Sequence, residues 1–437
     1  MKNQNGVTLP QKYLVTFADE VFGPLKNGEC VSCMFAAGGG KRTILHFLLS
    51  EENILKKVFG DLYKKTLFIY IDPNEILNVS TEAYLALILH CMTRTMKEHK
   101  IEVLPEISGN PLEIIKKNLE NLIVKDLHAV FILNDFEFTI SLPTSIYLNL
   151  EAIMSVDKSK IVYLFLSTIN LFDEKILGNL HNLKYAVSRK VRYFPLFKEA
   201  EANYLIDQTC KKLKFKASNM IKSILYEICG GHPQLLKYSL HLIHEEFKLG
   251  LNDDDKIRIF LLNHYQLKII CADIWNFFTD KEKNTMNSIV TTGAILSSQQ
   301  EEIDYLLKLG LVKIMKEKKY YVFGTLFEEF VKNKLPKHTL TYNAETTKLY
   351  YGQTSCEDKF TYQEFKLLVY FVTHENELIS RDQVADAIWG RLSHEKYSDW
   401  SIDKTISVLR KKLDVLGFPS EQLVTLKKRG FSFSNPS

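Results

Sequence analysis

The chain has 437 residues, of which 46% are hydrophobic and 25% charged, enough to build several cores of ordinary domain size. Its net charge of +4 is too small to indicate a nucleic-acid partner by itself, so any basic surface must be local. No apolar run approaches the roughly 18 residues that span a bilayer, and residues 1–12 contain no hydrophobic signal core. We therefore expect a cytoplasmic protein without a membrane partner.

The seven cysteines lack the spacing of a disulfide framework, which is typical of a reducing compartment. Cys30 and Cys33 have the spacing of a metal or redox motif. They lie in the apolar run Glu29–Phe35, where a strand would direct the two side chains to opposite faces, and no second pair follows. We expect both to be buried and structural.

Four apolar runs separated by helical stretches organise residues 1–195. They are Cys30–Phe35, Thr66–Ile71, Ala129–Leu133 and Lys160–Ser167. Short runs that are apolar almost throughout are typical of strands buried on both faces of a parallel sheet. Helical periodicity in Thr81–Glu98 and Leu112–Val124 fits crossover helices. The sequence predicts a three-layer α/β domain here.

A glycine-rich turn joins the first predicted strand to an apolar helix. Its residues are Ala36, Ala37, Gly38, Gly39, Gly40, Lys41, Arg42 and Thr43. Such a turn wraps backbone N–H groups around phosphates, while a helix amino terminus and a lysine supply positive charge. The turn resembles a P-loop with two departures: Phe35 replaces the first glycine of the pattern, and Arg42 replaces the Ser or Thr that ligates Mg²⁺. Thr43 stands one place late.

The third predicted strand ends in Asn134 and Asp135. In P-loop ATPases, acids at this place hold Mg²⁺ and polarise water. The resemblance implies Asp135 as the catalytic acid and Thr43 and Asp135 as magnesium ligands. Asn134 stands where the first acid is expected, and a neutral amide holds hydrated metal more weakly. Ser167–Asn170, at the end of the next strand, provides polar groups as a sensor would, although strand ends are polar by default.

Strand signals stop near Pro195, and helical periodicity predicts a helical lid over residues 196–262. Within it, Cys229–Leu236 reads Cys-Gly-Gly-His-Pro-Gln-Leu-Leu and opens a helix. Residues 263–336 combine a capping-box pattern at Thr279–Glu282, an amphipathic helix at Ile303–Leu309 and a strand-turn-strand pattern at Val312–Phe323. This pattern predicts a first winged helix.

This order resembles the STAND class of signal-transduction ATPases and related archaeal AAA+ ATPases over roughly Tyr13–Lys334. The resemblance implies an ATP or ADP site in which Pro233 packs by the adenine. The nucleotide-binding residues it implies are Gly38, Gly39, Gly40, Lys41, Arg42, Thr43, Asn134, Asp135 and Pro233. The late histidine of many members has no counterpart in Phe323–Thr325. Three interpretations stay open: a bound nucleotide with slow or no hydrolysis, working hydrolysis, and an empty structural fold.

Arg189 and Arg192 precede the predicted lid. An arginine near a bound nucleotide can reach the γ-phosphate as a finger or sensor. The plainer interpretation is that both are solvated surface residues.

After a predicted linker at Pro336–His338, residues 337–437 form the last predicted domain. Its elements are a strand pair at Thr339–Tyr342 and Lys348–Gly352, a helix start at Phe360–Leu368, a stretch from Ile379–Val384 to Ile388–Gly390, a helix from Trp400, and a hairpin at Leu423–Phe433. On the helix from Trp400, an apolar stripe is formed by Ile402, Ile406, Leu409 and Leu413. The opposite face is basic and is flanked by Arg410 and Lys412. A basic helix beside a basic hairpin suits duplex DNA, since the helix fits the major groove and the hairpin reaches phosphates.

The domain resembles the effector domain of the OmpR/PhoB family of response regulators. The matching motifs are Phe360–Leu368 for "LTxxEfxLL", Ile379–Val384 for "vsReqL", Ile388–Gly390 for "vWg", Ser401–Leu413 for "vdvhIxxLRkKL" and Thr425–Phe433 for "TvrGxGYrf". The resemblance implies DNA contacts by Lys404, Ser407, Val408 and Lys411 in the major groove and by Lys427 and Arg429 on the wing. Lys428 and Ser432 depart from the family pattern. No receiver domain with a phosphoacceptor aspartate is recognisable before it.

Together these patterns predict a multidomain chain with an α/β P-loop core, a helical lid and two winged helices. The leading hypothesis is a DNA-binding transcriptional regulator controlled by an adenine nucleotide. The expected partners are double-stranded DNA, the nucleotide, RNA polymerase and further copies of the chain. The alternatives are an ATPase of the origin-recognition or defence type that uses its winged helices as a docking platform, and an inert scaffold.

Overall fold

A computed structural model describes residues 9–76, 78–105, 109–247, 253–314, 319–335, 339–352, 354–390, 398–427 and 429–435. These residues fall into two units, the first within Met1–Lys283, Glu301–Met315 and Tyr321–Phe327, the second within Asn284–Gln300, Lys316–Tyr320 and Glu328–Ser437. The predicted linker at Pro336–His338 and the wing residue Lys428 lie outside the described residues. The boundaries between the four predicted domains stay predictions.

Five parallel strands build the sheet of the first unit. They are β1 (Val31–Phe35), β2 (Thr66–Ile71), β3 (His128–Leu133), β4 (Ile161–Ser167) and β5 (Val191–Phe194). Every residue of β1 and β4 is buried, which requires cover on both faces of the sheet. The four predicted strands are confirmed. β5 was not predicted, because this short edge strand carries Arg192 and Tyr193 and is only partly buried.

Helices flank these strands and continue beyond them. They are α1 (Gln11–Lys26), α2 (Lys41–Ser50), α3 (Glu52–Phe59), α4 (Thr81–Glu98), α5 (Pro111–Val124), α6 (Ser145–Met154), α7 (Glu174–Asn179), α8 (Leu183–Val187), α9 (Glu199–Leu213), α10 (Asn219–Cys229), α11 (Pro233–Phe247), α12 (Asp254–Asn263) and α13 (Tyr265–Asn276). The run from α9 to α12 confirms the helical character predicted for the lid. Across the described ranges, no helix is both long and apolar enough to cross a membrane.

The strand order β2-β3-β4-β1-β5 places the glycine turn at a reversal of the chain's path. From β1 the chain crosses to β2 at the far edge, returns through β3 and β4, and then moves to β5 on the other side of β1. In open parallel sheets, ligands bind at the carboxyl ends of the strands where the order reverses. This sheet with a glycine turn after β1 is a P-loop NTPase fold.

The elements that follow have the order predicted for a first winged helix. They are α14 (Asp280–Thr292), α15 (Gln300–Lys308), β6 (Val312–Ile314), β7 (Tyr320–Val322) and α16 (Thr325–Lys334), with β6 and β7 paired. The predicted capping box is present: the Thr279 N–H donates to Glu282 Oε2 at 2.8 Å, and the Glu282 N–H donates to Thr279 Oγ1 at 3.2 Å.

The carboxy-terminal elements form a winged helix in the second unit. They are β8 (Leu340–Asn343), β9 (Lys348–Tyr351), β10 (Thr354–Ser355), α17 (Tyr362–Thr373), α18 (Arg381–Trp389), α19 (Asp399–Leu416), β11 (Leu423–Leu426) and β12 (Gly430–Phe433). The predicted stripe on α19 is buried in the domain core. A capping box at Thr361 starts α17 at the predicted helix start, and a second capping box at Ser380 starts α18.

Candidate functional site

A cavity of about 700 Å³ lies at the carboxyl ends of the strands of the first unit. It is lined by the glycine turn, residues 36–43, by Pro73 and Asn74 after β2, by Asp135, Glu137, Phe138 and Ser141 after β3, by Thr168 after β4, by Pro233, Gln234, Lys237 and Tyr238 on α11, and by Phe277. The glycine turn, Asp135 and Pro233 are far apart in the sequence and were each predicted to bind the nucleotide. The structure brings them together in one cavity. The predicted residue Asn134 does not line it and is fully buried.

The glycine turn has the backbone conformation that phosphate cradles use. Gly38 and Gly40 have φ angles of +71° and +90°, and the Gly39 N–H donates to the Ala36 carbonyl at 2.8 Å. A Cβ on Gly38 would lie 2.7 Å from Cε1 of the fully buried His232 ring, so a side chain there would force the ring to shift. Gly40 caps α2 without a side-chain acceptor, which leaves N–H groups of the first helical turn for an anion.

Two cations of the turn converge on one carboxylate. Lys41 Nζ lies 2.5 Å from Asp135 Oδ1, and Arg42 Nη2 lies 2.8 Å from Asp135 Oδ2 and 3.4 Å from Asp72 Oδ1. Burial acts to raise the pKa of Asp135, but the ammonium of Lys41 and the guanidinium of Arg42 outweigh it and hold the pKa below its ordinary value. Asp135 is therefore an anion at neutral pH.

The sequence did not single out Asp72 or Glu137 as site residues. Asp72 follows β2 and Glu137 follows β3, so both lie at the edge of the sheet where the glycine turn begins. Glu137 Oε1 accepts hydrogen bonds from the hydroxyl and the N–H of Thr168, within the segment predicted to act as a sensor. Their positions in the sequence could have identified these two acids, because acids directly after parallel strands meet at one edge of the sheet.

His232 joins the start of α11 to the glycine turn. Its Nε2 lies 2.7 Å from the Ala37 carbonyl, which can only accept, so Nε2 carries the proton and Nδ1 accepts the Leu235 N–H at 3.3 Å. The ring is completely buried, and this burial lowers the pKa of His232 to about 4. The imidazole is therefore neutral in the folded protein.

Acidification is expected to destabilise the first unit through His232. The unfolded chain takes up this proton near pH 6.5 and the folded chain only near pH 4, so the free energy of unfolding falls between these values. By pH 4.5 this one group accounts for a loss of about 2.5 kcal/mol. We measure the free energy of unfolding with urea at pH 7 and at pH 4.5. Between these values it is expected to fall by about 2.5 kcal/mol less in His232→Gln than in the wild type. His90→Gln, on an exposed position of α4, is the control, and an equal pH dependence in wild type and His232→Gln would contradict the assignment.

Arg189 and Arg192 do not line the cavity. Arg189 Nε pairs with Glu29 at 3.3 Å, before β1 begins, whereas the glycine turn follows the other end of that strand. Arg192 lies on β5 beside Cys33, and its Nη1 donates to the Val191 carbonyl at 3.0 Å. These positions fit the interpretation that Arg189 and Arg192 are solvated surface residues.

Cys30 and Cys33 are both buried, and burial raises the pKa of Cys30 to about 11. The described residues contain no group of three or more His, Cys, Asp or Glu side chains placed to hold a metal. The burial of both cysteines fits a structural role for the pair.

The six residues predicted to contact DNA are all exposed. Lys404, Ser407, Val408 and Lys411 recur on α19 at the spacing of one helical face, opposite the buried stripe. Lys427 and Arg429 lie in the turn between β11 and β12. Lys404 also lies 4.9 Å from the centre of the Trp400 ring, and that indole is itself 68% exposed.

Arg410 and Lys412, which flank this face in the sequence, hold the domain together. Arg410 Nε donates to the Leu423 carbonyl at 2.9 Å, which ties α19 to the hairpin. Lys412 Nζ pairs with Glu364 at 2.5 Å, which ties α19 to α17. These contacts fix α19 and leave its other basic side chains exposed.

Residues 357–433 match the family described as "Transcriptional regulatory protein, C terminal", so the carboxy-terminal winged helix is of the OmpR/PhoB type. The Transcriptional regulatory protein CiaR of Streptococcus pneumoniae is 33% identical over 101 residues. This stretch is 22% of the present chain and 44% of CiaR, so the chain covers less than half of that relative.

Solved structures of low sequence identity are similar to the larger part of the chain. The Walker-type ATPase PABY2304 of Pyrococcus abyssi is 12% identical with a TM-score of 0.49, covering 74% of this chain and 96% of its own. The ORC2 protein of Aeropyrum pernix, in ADPNP and ADP complexes, is 12% identical with a TM-score of 0.44, covering 74% and 93%. The sheet order and the glycine turn of this chain define its P-loop fold.

Proposed function

We propose that the chain is a transcriptional regulator that binds double-stranded DNA through α19 and the β11–β12 hairpin and is controlled by an adenine nucleotide in the first unit. The observation that carries the proposal is the exposed basic face of α19 within a domain that matches the regulatory family. An α-helix fits the major groove, and Lys427 and Arg429 on the hairpin suit phosphate contacts.

Charge and shape of the cavity support a nucleotide. Lys41, Arg42 and Lys237 line it. Burial, followed by the neighbouring Lys212, lowers the pKa of Lys237, and no ion pair satisfies Lys237 among the described residues. An anion there would stabilise this ammonium. Tyr238 and Phe277, 46% and 41% exposed, provide ring surface for a purine base.

Control of DNA binding by nucleotide is a coupling free energy between two sites. We propose that ATP or ADP changes the affinity for DNA, with slow or no hydrolysis. RNA polymerase and further copies of the chain are proposed as partners on the resemblance to OmpR/PhoB regulators. A cytoplasmic location follows from the proposed access to DNA.

Removing the lysine of the glycine turn tests this function. We expect Lys41→Ala to weaken ADP binding about 30-fold, since a hydrogen bond to a charged group contributes about 2 kcal/mol. Asp135 keeps Arg42 as a partner in this variant, so no buried carboxylate is left unpaired. Calorimetry measures the affinity, and fluorescence anisotropy with a pool of labelled duplexes measures DNA binding with and without nucleotide.

The matched control is Lys64→Ala, which removes an exposed lysine from the same unit. It should bind nucleotide and duplex as the wild type does. Duplex affinity that is the same with ADP, with ATP and without nucleotide would refute nucleotide control while leaving DNA binding intact.

A hydrolytic ATPase of the origin-recognition or defence type is the second candidate. Glu137 favours it, because this residue lines the cavity directly after β3. A carboxylate at the wall of such a cavity is the kind of group that acts as a general base toward water. If the wild type releases phosphate from ATP and both Glu137→Gln and Lys41→Ala do not, this candidate is supported. If the wild type releases no phosphate, this candidate is excluded.

A further inference from the structure

The cation that usually accompanies a nucleotide in a P-loop site is Mg²⁺, and the residues of this cavity do not fit it. The hydroxyl expected directly after the lysine is replaced by Arg42, whose guanidinium lies 2.8 Å from Asp135 and 3.4 Å from Asp72. Thr43 is turned by about 100° around the axis of α2 from that position. A protein cation already bridges the two carboxylates that follow β2 and β3.

The Asp135 carboxylate is fully engaged by donors from the protein. Oδ1 pairs with Lys41 at 2.5 Å, while Oδ2 accepts from Arg42 at 2.8 Å, from Asn134 Nδ2 at 3.0 Å and from Asn74 Nδ2 at 3.3 Å. Asp72 Oδ1 also accepts the Nδ2 group of Asn74 at 2.6 Å. Mg²⁺ and its water ligands need oxygen acceptors that are not already taken by cations.

Asn134, where P-loop ATPases carry an acid, does not restore a metal site. Its Nδ2 donates to Asp135, so the amide holds the carboxylate in place. Its Oδ1 is buried from solvent and has no hydrogen-bond partner among the described residues. No water ligand of a cation in the cavity can therefore reach this oxygen.

We propose that the site binds its nucleotide without a divalent cation and that the guanidinium of Arg42 supplies the positive charge in place of Mg²⁺. This inference rests on the proposed nucleotide binding. Under it, Thr43 and Asp135 are not magnesium ligands, and Asp135 instead positions Lys41 and Arg42 on the phosphate side of α2.

Arg42 retains the donors that this role needs. Its hydrogen bonds to described residues all run through Nη2, so the donors on Nε and Nη1 are without a described partner. The side chain is 49% exposed and lines the cavity beside the glycine turn. A guanidinium stays charged at all accessible pH values and binds phosphate oxygens in a bidentate manner.

Calorimetry of the full chain with ADP, in buffer containing EDTA and in buffer containing Mg²⁺, tests the proposal. We expect the wild-type dissociation constants in the two buffers to agree within about threefold, because Arg42 is part of the chain. Arg42→Ser, which restores a hydroxyl, should bind ADP about tenfold more weakly in EDTA. Arg42→Lys keeps the charge without the bidentate geometry and should bind ADP in EDTA more tightly than Arg42→Ser.

The control is Arg94→Ser on an exposed position of α4, which should bind like the wild type, and thermal unfolding confirms that each variant is folded. Wild-type affinity that falls by more than about threefold in EDTA, or Arg42→Ser that equals the wild type in EDTA, overturns the proposal while nucleotide binding stands. Absence of ADP binding in both buffers instead overturns the proposed nucleotide function and this inference with it.

Discussion

Reversing two charges on α19, with Lys404→Glu and Lys411→Glu in one chain, is expected to weaken duplex binding by at least about 100-fold at physiological salt. Both side chains are exposed on the face opposite the buried stripe, so the domain core is untouched. Each lysine that is lost removes a positive charge that displaces counterions from the duplex, so the slope of log affinity against log salt should fall in magnitude by about 2. Fluorescence anisotropy over a salt series measures both quantities.

Lys359→Glu with Lys366→Glu is the matched control for that variant. Both lysines are exposed in the same winged helix but lie outside α19 and the hairpin, and the change in net charge is identical. This control should retain binding within a few-fold. If the two double variants weaken binding equally, general charge rather than α19 attracts the duplex, and the assignment of the interface is wrong.

Gly230→Ala is expected to lower the free energy of unfolding of the first unit by about 4 kcal/mol. Gly230 ends α10 at a φ of +60°, where an alanine costs about 1 kcal/mol. A Cβ there would also lie 1.9 Å from the Phe323 carbonyl oxygen, and relieving that overlap costs about 3 kcal/mol more. Urea unfolding and hydrogen exchange of peptides from α10 and α11 measure the loss.

Gly417→Ala separates these two contributions. Gly417 also ends a helix in the left-handed conformation, with φ at +83°, but its nearest contact for a Cβ is the Tyr351 hydroxyl at 3.6 Å. We expect a loss of about 1 kcal/mol in the second unit, from conformation alone. Equal losses in the two variants would show that the backbone at Phe323 yields easily and that the close approach is not a constraint.

Local patterns of the sequence determined much of this protein. Four strands, the capping box at Thr279, the helix start at Phe360 and the apolar stripe of α19 depend on residues close together in the chain, so hydrophobic period and capping chemistry predict them. The glycine turn was predicted for the same reason, since strand, glycines, lysine and helix are contiguous. The exposed basic face of α19 followed from the stripe, because a helix that buries one face presents the other.

The tertiary structure alone decided which partners the charged residues have. Arg42 marked a departure from a motif in the sequence, but only the fold brings Asp72 and Asp135 to it from the ends of two other strands. Arg410 and Lys412 belonged to a basic helix in the sequence, and the fold directs them inward to Leu423 and Glu364. The position of a residue in the helical repeat predicts the face on which its side chain lies. Its ion pairs depend on which distant segments pack against that face, and this information is not local.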